Sequence, residues 1–413
     1  MANPGIDPRR VSPDYYMDLA DPISDVLRNC EDDLLVNIAR HFRATSNEEK
    51  DIFAWQVRKL AELGKLNAES LRIITGYVGQ LPSMTRLALE RAAFRALKEI
   101  DPELHTAWRA GALTGPGPAR TMSQTMASVV ARYERQAIDK LNLVNTVMLN
   151  STRERFVKTV TDVVRLDQQL ARAQQVLNQQ TGQVVAGITS RREAVRQAVT
   201  QMADEGLTGF VDRAGRQWSP EAYVNMDIRT TAHNVAEAAV DERNEDYGND
   251  LFLIDSHSGA RPKCARDQGK IYSSQNRSGT VEDLHGKQHK VHPWSASSYG
   301  EPDGILGINC GHHKYVFIPG FTVPRFGETQ NAEKNAEQYA ESQRQRYLER
   351  QVRDAKRRAA ALEAAGDEEG AKQARQLVRQ RQAKVRQFTE DTGRTRRPDR
   401  EQIHGYDYGK PKK

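Results

Sequence analysis

The chain has 413 residues, of which 28% are charged and 38% are hydrophobic, and its formal net charge is +6. This length indicates two or three domains with ample apolar material for a core. No apolar run approaches the ~20 residues of a membrane-spanning helix, so we expect no membrane anchor. No apolar stretch follows the N-terminal arginines, so we expect no secretory signal. The three cysteines do not make a disulfide framework, and a reducing compartment during synthesis is expected.

The first 118 residues are predicted to form an N-terminal helical region. Asp21-Pro22 offers a helix cap and a first-turn proline. Apolar residues then follow at steps of three or four and define one helix face, on which Cys30 has a plain packing role: Ile23, Leu27, Cys30, Leu34, Ile38 and Phe42. Two further helices are predicted at 53–64 and 68–78.

Prolines and glycines delimit the end of this region. A fourth helix is predicted from Pro82 to just before Asp101-Pro102, where proline should end it. The segment Thr114–Pro118 is predicted to be a hinge. It contains two glycines, but its prolines lack N–H donors, which excludes a phosphate-binding loop.

Residues 119–205 are predicted to form a long helix or a helical bundle. The stretch 119–181 contains no Gly or Pro, and its apolar residues recur at a spacing near 3.5, which is typical of coiled-coil packing. This pattern fits one very long helix, or two stacked helices with a break at Asn150-Ser151. Another helix is predicted to begin at Ser190 and to end at Gly206.

Residues 206–320 are predicted to form a small α+β module. A β-hairpin is expected at Phe210–Trp218, followed by a helix from Ser219-Pro220 to about Glu245. Leu251–Ile254 and Lys314–Ile318 are predicted to be buried strands. The long loop between them holds two of the three cysteines and six of the ten histidines, and a structureless loop of this length tends to be functional.

The C-terminal part is predicted to be a basic antiparallel helical hairpin at 328–390, followed by a disordered tail at 391–413. From residue 321 onward there are 22 Lys and Arg against 15 Asp and Glu. This surplus could contact nucleic acid or an acidic protein surface, or it could simply be solvated. The positive face is assigned to Arg350, Arg353, Lys356, Arg357 and Arg358. The whole fold is therefore predicted to be mainly α: a long N-terminal helical region, a small central α+β module and a C-terminal antiparallel helical hairpin.

Zinc binding is the sharpest chemical hypothesis for the module. His257, Cys264, Cys310 and His312 supply two imidazoles and two sulfurs, a set that zinc accepts in tetrahedral geometry. The loop offers a different histidine triad as well: His285, His289 and His292. Neither spacing is a zinc-finger signature, since Cys264 and Cys310 stand alone. The alternative is a module whose cysteines pack and whose histidines lie on a polar loop, without any cofactor.

No catalytic residue is predicted. Asp255, Ser256 and His257 are the residue types of a hydrolase, but neighbours along a strand point to opposite faces and do not form a triad. On the helix after Ser219, Arg229, Thr230 and Asn234 are expected to organise the module by hydrogen bonds to the following loop, or to be a solvated face. A non-enzyme without a small-molecule substrate is expected.

Several motifs, in this order, resemble those of tailed-phage minor capsid proteins of the minor capsid protein 2 type. They are Phe210–Trp218, Arg229–Asn234, His257–Cys264 with Gln268–Tyr272, and Tyr299–Pro302 with Gly307–His312. The resemblance extends to the N-terminal helices and to the hairpin segment 350–357. The central module is also similar to the Mu F-type head-morphogenesis domain. Gly311 departs from the pattern, where a basic residue is expected.

The resemblance implies a structural protein of the virion, made in the host bacterial cytoplasm and incorporated in few copies near the portal. The implied partners are phage portal and capsid proteins, with packaged DNA as a further candidate, and the implied roles are head assembly and DNA packaging or ejection. Two other readings stay open. One is a metal-dependent hydrolase or nuclease that acts during DNA entry, and the other is a cytoplasmic nucleic-acid-binding factor.

Overall fold

The computed structural model describes residues 11–12, 14–44, 51–181, 188–207, 209–211, 215, 217–324, 326, 331–404 and 406. In these ranges the protein is mainly α, which confirms the predicted fold class. The helices are α1 Tyr15–Arg40, α2 Ile52–Ala61, α3 Leu63–Val78, α4 Leu81–Arg109, α5 Met122–Thr181, α6 Ile188–Glu205, α7 Pro220–Asp246, α8 Pro262–Asp267, α9 Ala332–Ala364 and α10 Glu368–Thr392.

The strands form one small hairpin and one mixed sheet. They are β1 Phe210–Val211, β2 Gln217–Trp218, β3 Leu251–Ile254, β4 Ile271–Ser273, β5 Gly279–Glu282, β6 Gln288–Pro293 and β7 Lys314–Val316. The predicted hairpin is present as the antiparallel β1–β2 pair, although its turn residues 212–214 and 216 lie outside the described residues. The sheet has the order β5-β6-β4-β3-β7, in which only the β4–β6 pair is parallel.

The chain divides into two compact units, each built from three separate segments. The first combines the described residues of 1–23, 80–141 and 224–343, and the second those of 24–79, 142–223 and 344–413. The five consecutive domains of the sequence analysis stay predictions. The compact units join pieces of several of them, because helices α1, α5, α7 and α9 each contribute residues to both.

Two prolines lie inside helices, where the sequence analysis placed helix boundaries. Helix α1 begins at Tyr15 and contains Pro22, and α4 continues through Pro102 to Arg109. A proline removes one backbone hydrogen bond, which favours a helix end when local forces alone act. In α4 the residues beyond the proline include Leu104 and Ala107, which are fully buried in the core. Their burial compensates for the lost bond.

Helix α5 settles the question that the sequence left open about residues 119–181. It is one continuous helix of 60 residues, and it passes through Asn150-Ser151 without a break. The hydroxyl of Thr152 donates to the carbonyl of Met148 within the helix.

The first unit has its main core where α4, α5 and α7 meet strands β3 and β7. The predicted hinge is packed onto this core: the indole of Trp108 donates to the Gly115 carbonyl, and the Gly115 amide donates to the carbonyl of Tyr247 at 3.2 Å. A Cβ on Gly115 would lie 2.3 Å from the carbonyl carbon of Tyr247. Only glycine allows this backbone contact.

The second unit contains most of the predicted C-terminal hairpin, which is formed by α9 from residue 344 onward and by α10. Leu348 and Val352 of α9 pack against Val385 of α10. In the segment 391–413, which was predicted to be a disordered tail, the structure describes residues 391–404 and 406, and several of them make internal contacts. Both carboxylate oxygens of the fully buried Glu401 accept hydrogen bonds from Arg396, and Ile403 is buried. These internal contacts give the polar segment a fixed place.

Candidate functional site

The long segment between β3 and β7 is not a structureless loop, and this corrects the sequence analysis. It contains the short helix α8, strands β4, β5 and β6, and a 3-10 turn at Trp294–Ala296. Strand β3 lies between β4 and β7, so the start and the end of the segment are held against one strand. The sheet therefore brings the α8 end of the segment close to residues 304–313.

Three of the four predicted zinc ligands converge at this place. The Sγ atoms of Cys264 and Cys310 lie 3.9 Å apart, and Cys310 Sγ lies 3.4 Å from Nδ1 of His312. All three side chains are buried, and one ligand atom from each lies within 4.8 Å of the others. The two cysteines are 46 residues apart in the chain, so the fold and not a local motif makes the pair.

The fourth predicted ligand, His257, lies beside this group. Its imidazole stacks on that of His312, with ring centroids 4.2 Å apart. The side-chain oxygen of Gln268 accepts hydrogen bonds from Nε2 of His312 at 2.8 Å and from the backbone amide of His257 at 3.1 Å. Gln268 thus ties both histidines together. It also assigns the proton of His312 to Nε2, which leaves Nδ1 directed at the sulfur of Cys310.

The two thiols differ in their pKa. The hydrogen bond from Cys264 lowers the pKa of Cys310, against the effect of burial. The same hydrogen bond together with burial raises the pKa of Cys264. Cys310 is therefore the sulfur that holds negative charge more readily. By contrast, burial raises the pKa of Cys30 to about 12, in line with its predicted packing role in α1, where it is fully buried.

Several polar residues outside the predicted ligand set hold this region together. Asp255 Oδ1 accepts from the amide of His313, and Asp267 Oδ2 accepts from the amide and the hydroxyl of Ser298. The amide group of Asn335 exchanges two hydrogen bonds with the backbone of Ala260. Both aspartates are buried. Isolated acidic residues carry no spacing signal, so no sequence pattern pointed to these contacts.

A second buried group lies next to the first: His233, Glu237 and His313. Burial raises the pKa of Glu237 to about 7, and Lys314, whose Nζ lies 3.6 Å from its carboxylate, acts in the opposite direction. Burial also holds the pKa of His313 well below its usual range. The ammonium of Lys314 already supplies a positive charge to this group, which disfavours a metal cation there.

Of the residues that were expected to organise the module from α7, Thr230 bonds within its own helix, to the carbonyl of Met226. Arg229 is buried and Asn234 is partly buried. One α7 side chain that reaches the loop is His233, whose Nε2 donates to the carbonyl of His312 at 2.8 Å. Position 233 lies one turn from 230 on the helix, and the organising role of Arg229, Thr230 and Asn234 stays a prediction.

The alternative histidine triad is not assembled in the described part of the chain. Nε2 of His289 bonds to Asp283 Oδ2 at 2.9 Å, and the backbone amide of His285 bonds to Oδ1 of the same residue. His289 and His292 are three residues apart in β6, so their side chains point to opposite faces of the sheet.

Most of the basic residues that were assigned to the positive face of the hairpin make internal contacts. Lys356 is buried and its Nζ bonds to Gln402. Arg357 pairs with Asp32 at 2.6 Å, Arg358 with Asp204, and Arg353 donates to the carbonyl of Arg400. Arg350 is exposed. Spacing along a helix does not reveal which basic residues meet acidic partners from distant segments.

Comparison with known proteins agrees with this architecture. The family model for phage minor capsid protein 2 matches residues 11–390. The chain belongs to this family. It is 26% identical to a structural protein of Lactococcus phage LL-H over 364 residues, which cover 87% of this chain and 91% of that protein. It is 40% identical to a structural protein of Lactococcus phage mv4 over 108 residues, which cover 25% of this chain and 85% of that protein. No solved structure matches.

Membership confirms the resemblance that the motifs indicated, and it makes the chain a structural protein of a phage. Such a protein has partners in the capsid. Among the described residues, no helix combines the length and the apolar character that crossing a bilayer requires.

Proposed function

We propose that the protein is a minor component of a tailed-phage head, made in the host cytoplasm, which binds the portal or adjoining capsid proteins. There it acts in head assembly and in DNA packaging or ejection. The observation that carries this proposal is the family match over residues 11–390, which spans both compact units and not the central module alone.

The geometry of the cysteine–histidine group supports a structural role over hydrolysis. A metal hydrolase needs an open coordination position for water or substrate, and a nearby general base. Cys264, Cys310 and His312 are all buried, and the group contains no carboxylate. The nearby carboxylates of Asp255 and Asp267 accept backbone amides of this same loop. This arrangement is typical of a site that holds a fold together.

The charges of the second unit support protein partners over DNA. DNA binding relies on exposed Lys and Arg that neutralise phosphates. In the hairpin, Arg357 and Arg358 are paired with Asp32 and Asp204, and Arg196 of α6 is paired with Asp367 at the hairpin turn. These side chains connect α1, α6 and the hairpin within the unit. Their positive charge is therefore paired with carboxylates inside the unit.

The test is quantitative mass spectrometry and chemical cross-linking of purified phage particles. The expected result is a low copy number relative to the major capsid protein, with cross-links to the portal. Absence of the protein from DNA-filled particles and from empty heads would refute the head role. Cross-links to the major capsid protein alone would refute the portal position.

A phage with a stop codon in this gene tests the assembly role. The expected particles are heads that lack DNA or fail to deliver it. Normal titres of infectious particles without the protein would contradict the proposal. Retention of the purified protein on DNA at low salt, lost when Arg350 is changed to Glu, would restore DNA as a direct partner.

A further inference from the structure

The distances among the buried cysteines and histidine match the edges of a metal tetrahedron. Zinc bonds of about 2.3 Å to sulfur and about 2.0 Å to nitrogen, in tetrahedral geometry, place two sulfurs about 3.8 Å apart and a sulfur and a nitrogen about 3.5 Å apart. The separation of Cys264 and Cys310 is 3.9 Å, and that of Cys310 and His312 Nδ1 is 3.4 Å. Two edges of such a tetrahedron are therefore present, and the ligand atoms of all three residues lie within 4.8 Å of one another.

The surroundings of the three ligands are those of a metal site. A ligating histidine usually donates its second ring N–H to an oxygen acceptor, which fixes the ring and its tautomer. His312 does so through Nε2 to Gln268. The amide of Leu306 donates to Cys310 Sγ at 3.2 Å, and the guanidinium of Arg261 donates to Cys264 Sγ at 3.7 Å. Such donors stabilise sulfur in the charged form that binds a metal.

The loop that carries Cys310 is built for this arrangement. Leu306 and Asn309 have positive φ angles of 59° and 57°, which non-glycine residues seldom adopt. The loop is tight enough that a Cβ on Gly304 would lie 1.9 Å from the carbonyl oxygen of Ser298. Arg261 donates to the carbonyls of Gly304 and Ile308 and so connects α8 to the loop. A non-glycine residue keeps such a strained backbone conformation only where its surroundings hold it in place.

We propose that Cys264, Cys310 and His312 bind one Zn²⁺ ion, and that His257 completes the tetrahedron after its ring turns from the stack with His312. Two thiolates and two neutral imidazoles bring the site to zero net charge, as a buried ion requires. The Nδ1 of His257 lies 3.1 Å from the carbonyl of Ser258, so donation there makes Nε2 the ligating atom. The ion joins α8, the 304–312 loop and the end of β3, and thereby stabilises the module.

The main competitor is a disulfide between the same two cysteines. It needs an oxidant and brings the sulfurs to about 2.05 Å, well inside the separation seen here. Zinc and disulfide exclude each other, because a metal-bound thiolate is not available for oxidation. A stable Cys264–Cys310 disulfide in protein purified from the host cytoplasm would therefore overturn the proposal.

The first measurement is the metal content of the full-length protein after purification without chelators. The expected content is about one zinc per chain in the wild type and in the Cys30→Ser control, which also loses one buried thiol but lies outside the group. Cys264→Ser and Cys310→Ser should each contain less than about a tenth of this amount. Zinc-free wild-type protein that remains folded and does not take up added Zn²⁺ would overturn the proposal.

A second measurement does not depend on whether the Cys264→Ser and Cys310→Ser variants fold. In the Cys30→Ser protein only Cys264 and Cys310 remain as thiols. Titration with an organomercurial should release zinc to a colorimetric chelator, and release should be complete at two equivalents. Replacement of zinc by Co²⁺ should produce sulfur-to-metal charge-transfer absorption with tetrahedral d–d bands. Release that requires no thiol modification, or a Co²⁺ spectrum without charge transfer, would contradict cysteine ligation.

His257→Ala tests the fourth ligand. We expect zinc to remain bound with an affinity lowered by at least about tenfold, and the tetrahedral Co²⁺ spectrum to change. An unchanged affinity and spectrum would overturn the assignment of His257. None of these outcomes depends on the position of the protein in the head, so the zinc site and the proposed function fail or stand separately.

Discussion

The buried carboxyl group of Glu31 should make the stability of the second unit depend on pH. Glu31 lies in α1 and is almost inaccessible to solvent. Burial raises its pKa from 4.5 to about 8, against the lowering effect of Arg357. The folded protein therefore keeps Glu31 protonated over a pH range in which the unfolded chain has already released that proton. Glu31→Gln preserves the shape of the protonated group and removes its titration.

The sign follows from proton linkage. The pKa of Glu31 is higher in the folded protein than in the unfolded chain, so folding favours the protonated carboxyl group. The free energy of unfolding therefore falls as pH rises from 4.5 toward 8. At about 1.4 kcal/mol for each pH unit, the wild type loses at most about 5 kcal/mol across this interval. Relative to the wild type, Glu31→Gln should be more stable by about 1 kcal/mol near pH 5 and by up to about 5 kcal/mol near pH 8.5.

Urea unfolding at these two pH values is the assay, with hydrogen exchange of α1 peptides as the local readout. The control is Glu154→Gln, because Glu154 is exposed on α5 and the change should stay within about 0.5 kcal/mol at either pH. A Glu31→Gln variant that is less stable than the wild type near pH 8.5 would refute the reasoning. It would mean that Glu31 is charged in the folded protein and is held by Arg357.

Two further predictions concern backbone packing and a helix cap. Gly115→Ala should destabilise the protein by about 2–4 kcal/mol in thermal or urea unfolding, because the new methyl group meets the Tyr247 backbone. The control Gly76→Ala has open space around it inside α3 and should stabilise the protein by about 0.5–1 kcal/mol. Equal effects of the two changes would contradict the packing argument. Asp367→Ala removes both the α10 N-cap and the two hydrogen bonds from Arg196, so we expect the free energy of unfolding to fall by about 1–3 kcal/mol. If the cap dominates, Asp367→Asn should recover most of this loss. Recovery by Asn of none of the loss would assign the effect to the ion pair.

The sequence alone determined most of the helical segments and the buried side of some of them. The apolar stripe of α1, from Ile23 to Phe42, is buried along its whole length, and the α9–α10 hairpin closes on Val352 and Val385. These patterns were readable because helix periodicity is a local property and burial of one face follows from it directly. The family resemblance was likewise readable, since its motifs occur in order along the chain.

Tertiary structure decided the features that depend on partners distant in sequence. Pro22 and Pro102 are tolerated inside helices because packing compensates for one missing hydrogen bond. Lys356 is buried because residues near the C-terminus supply its acceptor. Cys264 and Cys310 meet across 46 residues because β3 holds both ends of the intervening segment in one sheet. Local spacing encodes a helix face, but a buried charge or a shared ligand site exists only after distant segments have come together.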